Sequence, residues 1–331
     1  MAVISGVATP GGAGVRPRGA ARWGAAVLLA GVTSVLGFRA LDADGPTPFP
    51  QALAFLPWLL LPGAAALLLA GPARWRTGMV WAVVVLAATG WFCRPYGPAT
   101  TGAHGPVLAE LRVLTSNVEF GDATDALIAT VRRERPDIVF VQECDLLCAA
   151  ALDARIPRAS YPYREVVRLD GSLGSALLSR HPLRPAEPVA GVMAMPGAVA
   201  TVAGKDIRLQ LAHPLPPVPG RVDGWRAELG RIRDFAAGAK GRPVLLAGDF
   251  NASQDHAAFR AVLDAGALHD SARIAGLSRT HSWPADRTTP LRTQIDHVLV
   301  SDDFSVRSAR FLDLRGTDHR ALLVSLALHG A

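Results

Sequence analysis

Six polar clusters stand where runs of apolar residues stop: LTSN ending at Asn117, VFVQE at Glu143, LQLAH at His213, LLAGDFN with Asp249 and Asn251, QIDH with Asp296, and GTDH with Asp318 and His319. Singly, each has an ordinary structural role. An Asn or Asp forms a turn, a Glu opens a helix, and a histidine packs on a surface. Together they carry one chemistry, hydrolysis at phosphorus. Glu143, the amide of Asn117 and a further carboxylate, Asp249 or Asp318, are the oxygen-rich donors that a divalent ion takes. His213, His319 and Asn251 supply hydrogen bonds to a transition state that gathers negative charge, and Asp296 holds an imidazole in one tautomer.

Such residues need a rigid frame that brings strand ends together. Short apolar runs predict strands at 111–116, 138–141, 175–178, 207–212, 244–247, 295–300 and 321–326, and helical spacing predicts helices at 125–133, 226–235 and 256–263. Strands and helices mixed over the last two thirds of the chain fit a two-sheet α/β sandwich, with a doubly wound single sheet as the other arrangement.

Residues 112–330 resemble the endonuclease/exonuclease/phosphatase superfamily, whose fold is DNase I-like. The matching elements are TSNV around Asn117, VQE at Glu143, GSALLSRHPL ending at Leu183, AHP at His213, GDFN at 248–251, IDHVLVS at 295–301 and TDHRALLV from Thr317. The resemblance implies a four-layered αββα sandwich and a metal-dependent phosphoric ester hydrolase using Mg2+ or Mn2+. It further implies that Glu143 binds the metal with Asn117 and Asp318 and that Asp249 orients or deprotonates water. In the same scheme Asn251 and His213 contact the phosphate, and Asp296 pairs with a phosphate-polarising His319. Thr317 stands where many members have Ser, which keeps the hydroxyl.

Ahead of this domain lie three runs without charge, 23–38, 45–73 and 77–93, read as three transmembrane helices within 23–94. A cleaved signal peptide is the other reading of the first. Residues 1–22 form a cytoplasmic tail bearing Arg16, Arg18 and Arg22, and 95–110 a Gly/Pro linker. Domain 111–331 then lies outside the membrane. Residues 1–94 carry seven arginines against Asp42 and Asp44, so they supply +5 of the net +6. The nearly neutral remainder argues against a nucleic-acid partner and favours the bilayer and a lipid-linked phosphate of the cell envelope. Three spans ahead of such a domain are similar to the membrane-bound teicoplanin-resistance proteins of actinobacteria. An exported nuclease, a phospholipid phosphodiesterase and a catalytically silent binding protein are the rival readings. Cys144 and Cys148, four apart, read as two packed thiols, because a bridge along one helical face is strained.

Overall fold

Alternation of apolar residues separates the layers in the computed structural model, which describes residues 17–286 and 288–330. Its strands are β1 (Val107–Asn117), β2 (Ile138–Gln142), β3 (Tyr163–Val167), β4 (Ser175–Ser179), β5 (Leu183–Val189), β6 (Met195–Val202), β7 (Lys205–Ala212), β8 (Val244–Asp249), β9 (His269–Asp270), β10 (Asp296–Val300), β11 (Phe304–Asp313) and β12 (Arg320–His329). They form two six-stranded sheets, ordered β11-β12-β1-β2-β4-β3 and β5-β6-β7-β8-β10-β9. Along β2, Ile138 and Phe140 enter the core between the sheets, while Val139 and Val141 pack with the helices Thr124–Glu134 and Leu146–Arg155. Along β8, Leu245 and Ala247 face the same central core, and Val244 and Leu246 pack with the helices Val222–Ala239 and Ala257–Gly266. A period of two thus sends one strand's side chains to two cores. Each fully buried Leu or Phe contributes about 1.5–3 kcal/mol to that packing. The result is an α/β sandwich of helix, sheet, sheet and helix, not a single doubly wound sheet.

The apolar N-terminal region differs from the simple reading. Its helix Pro17–Ala40 begins six residues before the expected span, and Arg18–Ala40 is long and apolar enough to cross a membrane by length and composition. The shorter apolar helices are Leu56–Ala70 and Arg76–Phe92. Residues 1–16, including Arg16, lie outside the described residues. The run at 45–73 is not one helix. It holds a short helix Phe49–Ala54, a 3-10 turn Leu56–Leu59 and a helix Leu60–Ala70. Pro46, Pro48 and Pro50 lack the N–H groups that a continuous helix needs.

The chain forms two compact units. One joins the chain up to Gly37 with Pro57–Trp91; within it Trp81 Nε1 donates to Thr33 Oγ1 at 2.9 Å and the Arg22 guanidinium lies 5.2 Å from the centre of the Trp75 ring. The other joins Phe38–Leu56 with everything from Phe92 onward. Within this second unit, Asp44 is buried and its carboxylate accepts the backbone N–H groups of Ala257 at 2.7 Å and Ala258 at 3.0 Å. It therefore caps a helix 213 residues away in sequence. The expected linker has no regular structure before β1, but it is fastened: Tyr96 N donates to Gln254 Oε1 at 2.8 Å and its hydroxyl donates to Asp264.

Cys144 and Cys148 form a disulfide, contrary to the two thiols expected. The helix starts only at Leu146, capped by Asp145, so Cys144 lies in the approach to the helix and not on its face. The Cα atoms are 5.2 Å apart, within the range a bridge spans.

Replacing Asp44 by Ala leaves two buried N–H groups without their acceptor. We expect the unfolding free energy of this second unit to drop by about 1–2 kcal/mol, read from denaturant melts followed by tryptophan fluorescence; an unchanged midpoint would refute the cap.

Candidate active site

Strand direction gathers the polar clusters. β1 and β2 are parallel, as are β7 and β8, so their C-terminal ends lie at one end of the sandwich; β12 and β10 run antiparallel to β1 and β8 and begin there. Asn117 ends β1, Glu143 follows β2, His213 follows β7 and Asp249 ends β8. Asp296 opens β10 directly opposite Asp249, and His319 precedes β12. Two of these turns are left-handed at non-glycine residues, with φ of 57° at Glu143 and 48° at Asn251. Such backbone costs on the order of 1–3 kcal/mol and concentrates at functional positions. Gly248, at φ 153°, is required by crowding, since a Cβ there would lie 1.9 Å from the carbonyl oxygen of Ala212 on β7.

The side chains form a connected set. Asn117 Nδ2 donates to Glu143 Oε1 at 3.0 Å and to Asp249 Oδ2 at 3.2 Å, while its Oδ1 accepts the N–H of Glu119 at 2.9 Å. His213 Nε2 lies 3.6 Å from Glu143 Oε1 and 3.9 Å from Asp249 Oδ2. Asp249 Oδ1 accepts the backbone N–H of Asn251 at 2.8 Å, and Asn251 Nδ2 donates to the carbonyl of Pro214 at 3.0 Å. His319 Nδ1 meets Asp296 Oδ2 at 2.9 Å, and its Nε2 stands 3.7 Å from both Asp249 Oδ2 and Asp318 Oδ1. Asp318 is the outlying member. Its carboxylate is partly exposed, accepts the Trp283 indole N–H at 2.7 Å, and has its site contacts on the His319 side.

Burial and charge set the protonation states. Burial alone would raise the Glu143 carboxyl, but donors from His213 and Asn117 hold it below the ordinary carboxylate range. Burial pushes the Asp249 carboxyl up, against the pull of His319. Burial would lower the His319 imidazole, yet the charges of Asp296 and Asp249 outweigh it and push it up to about 10. That pairing stabilises the fold below the ordinary imidazole range and is lost as pH rises through about 10.

A divalent cation fits this donor set. Glu119, Glu143, Asp249, Asp296 and Asp318 outnumber the two imidazoles, and buried Asp296 Oδ1 has no hydrogen-bond partner among the described residues. Ligand-type atoms of Asp249, Asp296 and His319 approach within 4.8 Å of one another. A doubly protonated imidazole has no free lone pair, so this trio is better read as a charge pair beside a water-orienting carboxylate. Glu143, held ionised, is the stronger candidate ligand.

Sequence reasoning overlooked Glu119, whose Oε2 accepts the Asp318 N–H at 2.7 Å, and Trp283. Neither ends a buried run, so the signal that exposed the others is missing for them. It also overlooked Gln51, Ala54 and Phe55, which line the same cleft of about 540 Å³ as Glu143, His213, Asp249 and His319. The polar stretch around Asp42 and Asp44, between the first two uncharged runs, was the available hint.

Residues 114–319, more than half of the chain, match the sequence profile of the Endonuclease/Exonuclease/phosphatase family. No curated protein sequence matches the chain. Among solved structures it is similar to D. rerio TDP2 complexed with single strand DNA product, at 17% identity and TM-score 0.54 over 66% of this chain and 99% of that one. It is also similar to the human Nocturnin catalytic domain with bound sulfate anion, at 16% identity and TM-score 0.53 over 68% and 96%. An endonuclease/exonuclease/phosphatase family protein from Bacteroides thetaiotaomicron matches at 17% identity and TM-score 0.52 over 67% and 99%. At these identities the likeness is one of fold.

In chelator-treated protein, the His319 ring is expected to stay doubly protonated until the pH approaches about 10. Asp296→Asn should move that titration down by about one to three pH units. Nitrogen-15 shifts of the imidazoles give both values, and a His319 titrating near pH 6.5 in the unsubstituted protein would refute the pairing.

Proposed function

The chain belongs to the Endonuclease/Exonuclease/phosphatase family of metal-dependent phosphoric ester hydrolases, and from that premise we propose a membrane-anchored, Mg2+-dependent phosphoesterase. It acts outside the cytoplasmic membrane on a lipid-linked phosphate or pyrophosphate of the cell envelope. The observation that carries this reading is a single cleft that joins the buried carboxylate–imidazole cluster to apolar walls.

Glu143 would hold the ion with the carboxylate of Asp318, Asn117 Nδ2 steadying Glu143, and the ion would supply neutralisation of the phosphate charge and polarisation of a phosphoryl oxygen. The residues of the chain do the rest. Asp249, whose carboxyl is pushed up by burial, takes the proton of the attacking water as the water oxygen bonds to phosphorus. His319, held as the imidazolium by Asp296, donates to a non-bridging oxygen through Nε2. His213 and Asn251 flank the same position, and the bond from phosphorus to the leaving oxygen breaks on the opposite side.

Membrane attachment is supported by the length and composition of Arg18–Ala40. The two shorter apolar helices that follow, taken as further spans or as a re-entrant pair, return the chain to the side it left. This agrees with Phe38–Leu56 and the chain from Phe92 onward folding as one unit. The Cys144–Cys148 disulfide favours an oxidising compartment, outside the cytoplasm. With Arg18 and Arg22, in the first turns of that helix, on the inside, the catalytic unit is extracytoplasmic.

The test is phosphate release from a polyprenyl pyrophosphate by the full-length protein in detergent. Turnover should require Mg2+, vanish with a chelator, and drop by about 10²–10⁴-fold in Asp249→Ala. Plasmid nicking with no lipid phosphate turnover would replace the lipid reading with a nuclease.

A further inference from the structure

Residues 38–56 connect two apolar helices in sequence, yet their anchors lie in the catalytic unit. Asp44 caps the helix Ala257–Gly266, and Asp42 Oδ1 accepts from Nε of the buried Arg260 at 3.1 Å. His256 Nδ1 accepts the N–H of Ser253 at 2.9 Å, which assigns the ring proton to Nε2, and Nε2 donates to the carbonyl of Pro50 at 2.8 Å. Gln51 Nε2 donates to the carbonyl of Pro217, and Arg226 to that of Gly45. The bonds hold the strap at five separate points, three of them through the buried side chains of Asp44, Arg260 and His256, so the strap is built into the domain.

The anchored strap sets Ala54 and Phe55 on the wall of the cleft that contains Glu143, Asp249 and His319. The proline-stiffened segment Leu215 to Pro219 lines the same cleft, tied to the strap through the Gln51–Pro217 bond. Phe120, Leu173, Val192 and Val218 are substantially exposed and also border it. Apolar side chains left open around one cleft mark a site for apolar material. Here that surface is continuous with the charged cluster, so one molecule must offer both a phosphate and an apolar body.

We propose that the strap and the proline segment form a subsite for the alkyl portion of an amphiphilic phosphate ester, with Phe55 as its specificity-determining residue. The inference rests on reading the cleft as a phosphoesterase site. Leu173, Val192, Leu215, Val218 and the prolines give the cleft a mainly aliphatic wall that suits an alkyl chain, with Phe55, Phe120 and Trp283 as its aromatic members, so a thymidine ester tests whether those rings take a base instead.

The experiment compares p-nitrophenyl octyl phosphate, p-nitrophenyl methyl phosphate and thymidine 5′-p-nitrophenyl phosphate with the full-length protein in nanodiscs. The unsubstituted protein should favour the octyl over the methyl ester by at least about tenfold in kcat/KM, and Phe55→Asp should bring that ratio to within about twofold. Phe55→Leu should retain the preference. Partition of the esters into lipid is common to all three proteins and cancels in the comparison. A ratio unmoved by Phe55→Asp, or a preference for the thymidine ester, overturns the subsite. Failure to cleave any of the three overturns the hydrolase reading instead. The subsite is then decided by calorimetry with octyl phosphate, where Phe55→Asp must weaken binding by about tenfold or more.

Discussion

Everything at the end of the sandwich answers to one constraint: Asp249 and Asp296 are buried side by side across the β8–β10 register. Two carboxylates removed from water in such proximity repel each other and lose hydration, and neither can be sustained without a cation or a proton. His319 supplies the first compensation, by a direct contact with Asp296 and a longer approach to Asp249. Asn117, the Asn251 backbone and His213 supply further donors. The turns that present them are correspondingly unusual, with left-handed backbone at Glu143 and Asn251 and a glycine at 248 that no larger residue can replace.

A second dependence runs through the strap. The catalytic unit is discontinuous in sequence, because residues 38–56 precede the two shorter apolar helices and the remainder follows them. The helix Ala257–Gly266 has no cap from its own N-cap side chain, since the His256 imidazole is turned towards Pro50. Asp44 fills that role. A polar interaction far from the reacting centre thus holds in place the strap whose Ala54 and Phe55 line the cleft.

The centre of each sheet was legible in the sequence and its edges were not. The strands read from apolar runs, β1, β2, β4, β7, β8, β10 and β12, are interior to the two sheets, and β2, β4, β8 and β10 are buried along their whole length. Missed were the edge strands β3, β5, β9 and β11, together with β6 beside an edge. An edge strand faces solvent and has less apolar demand. β5 also contains Pro185 and Pro188, which are tolerated where no ladder partner needs the missing N–H. The polar residues at interior strand ends were visible for the same reason, as abrupt stops of apolar runs at Asn117, Glu143, His213 and Asp249 and abrupt starts at Asp296 and His319. Glu119 and Trp283 lie in loops, and the strap was hidden by its own hydrophobicity: Leu53 and Leu56 read as membrane residues but are buried in protein. Composition reports that a segment avoids water, not which apolar phase it enters.

The cap that spans 213 residues has a consequence for biogenesis. The strap leaves the ribosome long before the helix it completes, and at ordinary elongation rates the interval is about 10–40 s. Throughout that time Asp44 has no helix to cap and the apolar wall has no partner. Held in sequence between two apolar helices, the strap waits while the sheets are assembled from later sequence. Catalytic competence is therefore among the last properties the nascent chain acquires, after nearly all of the polypeptide has been synthesised.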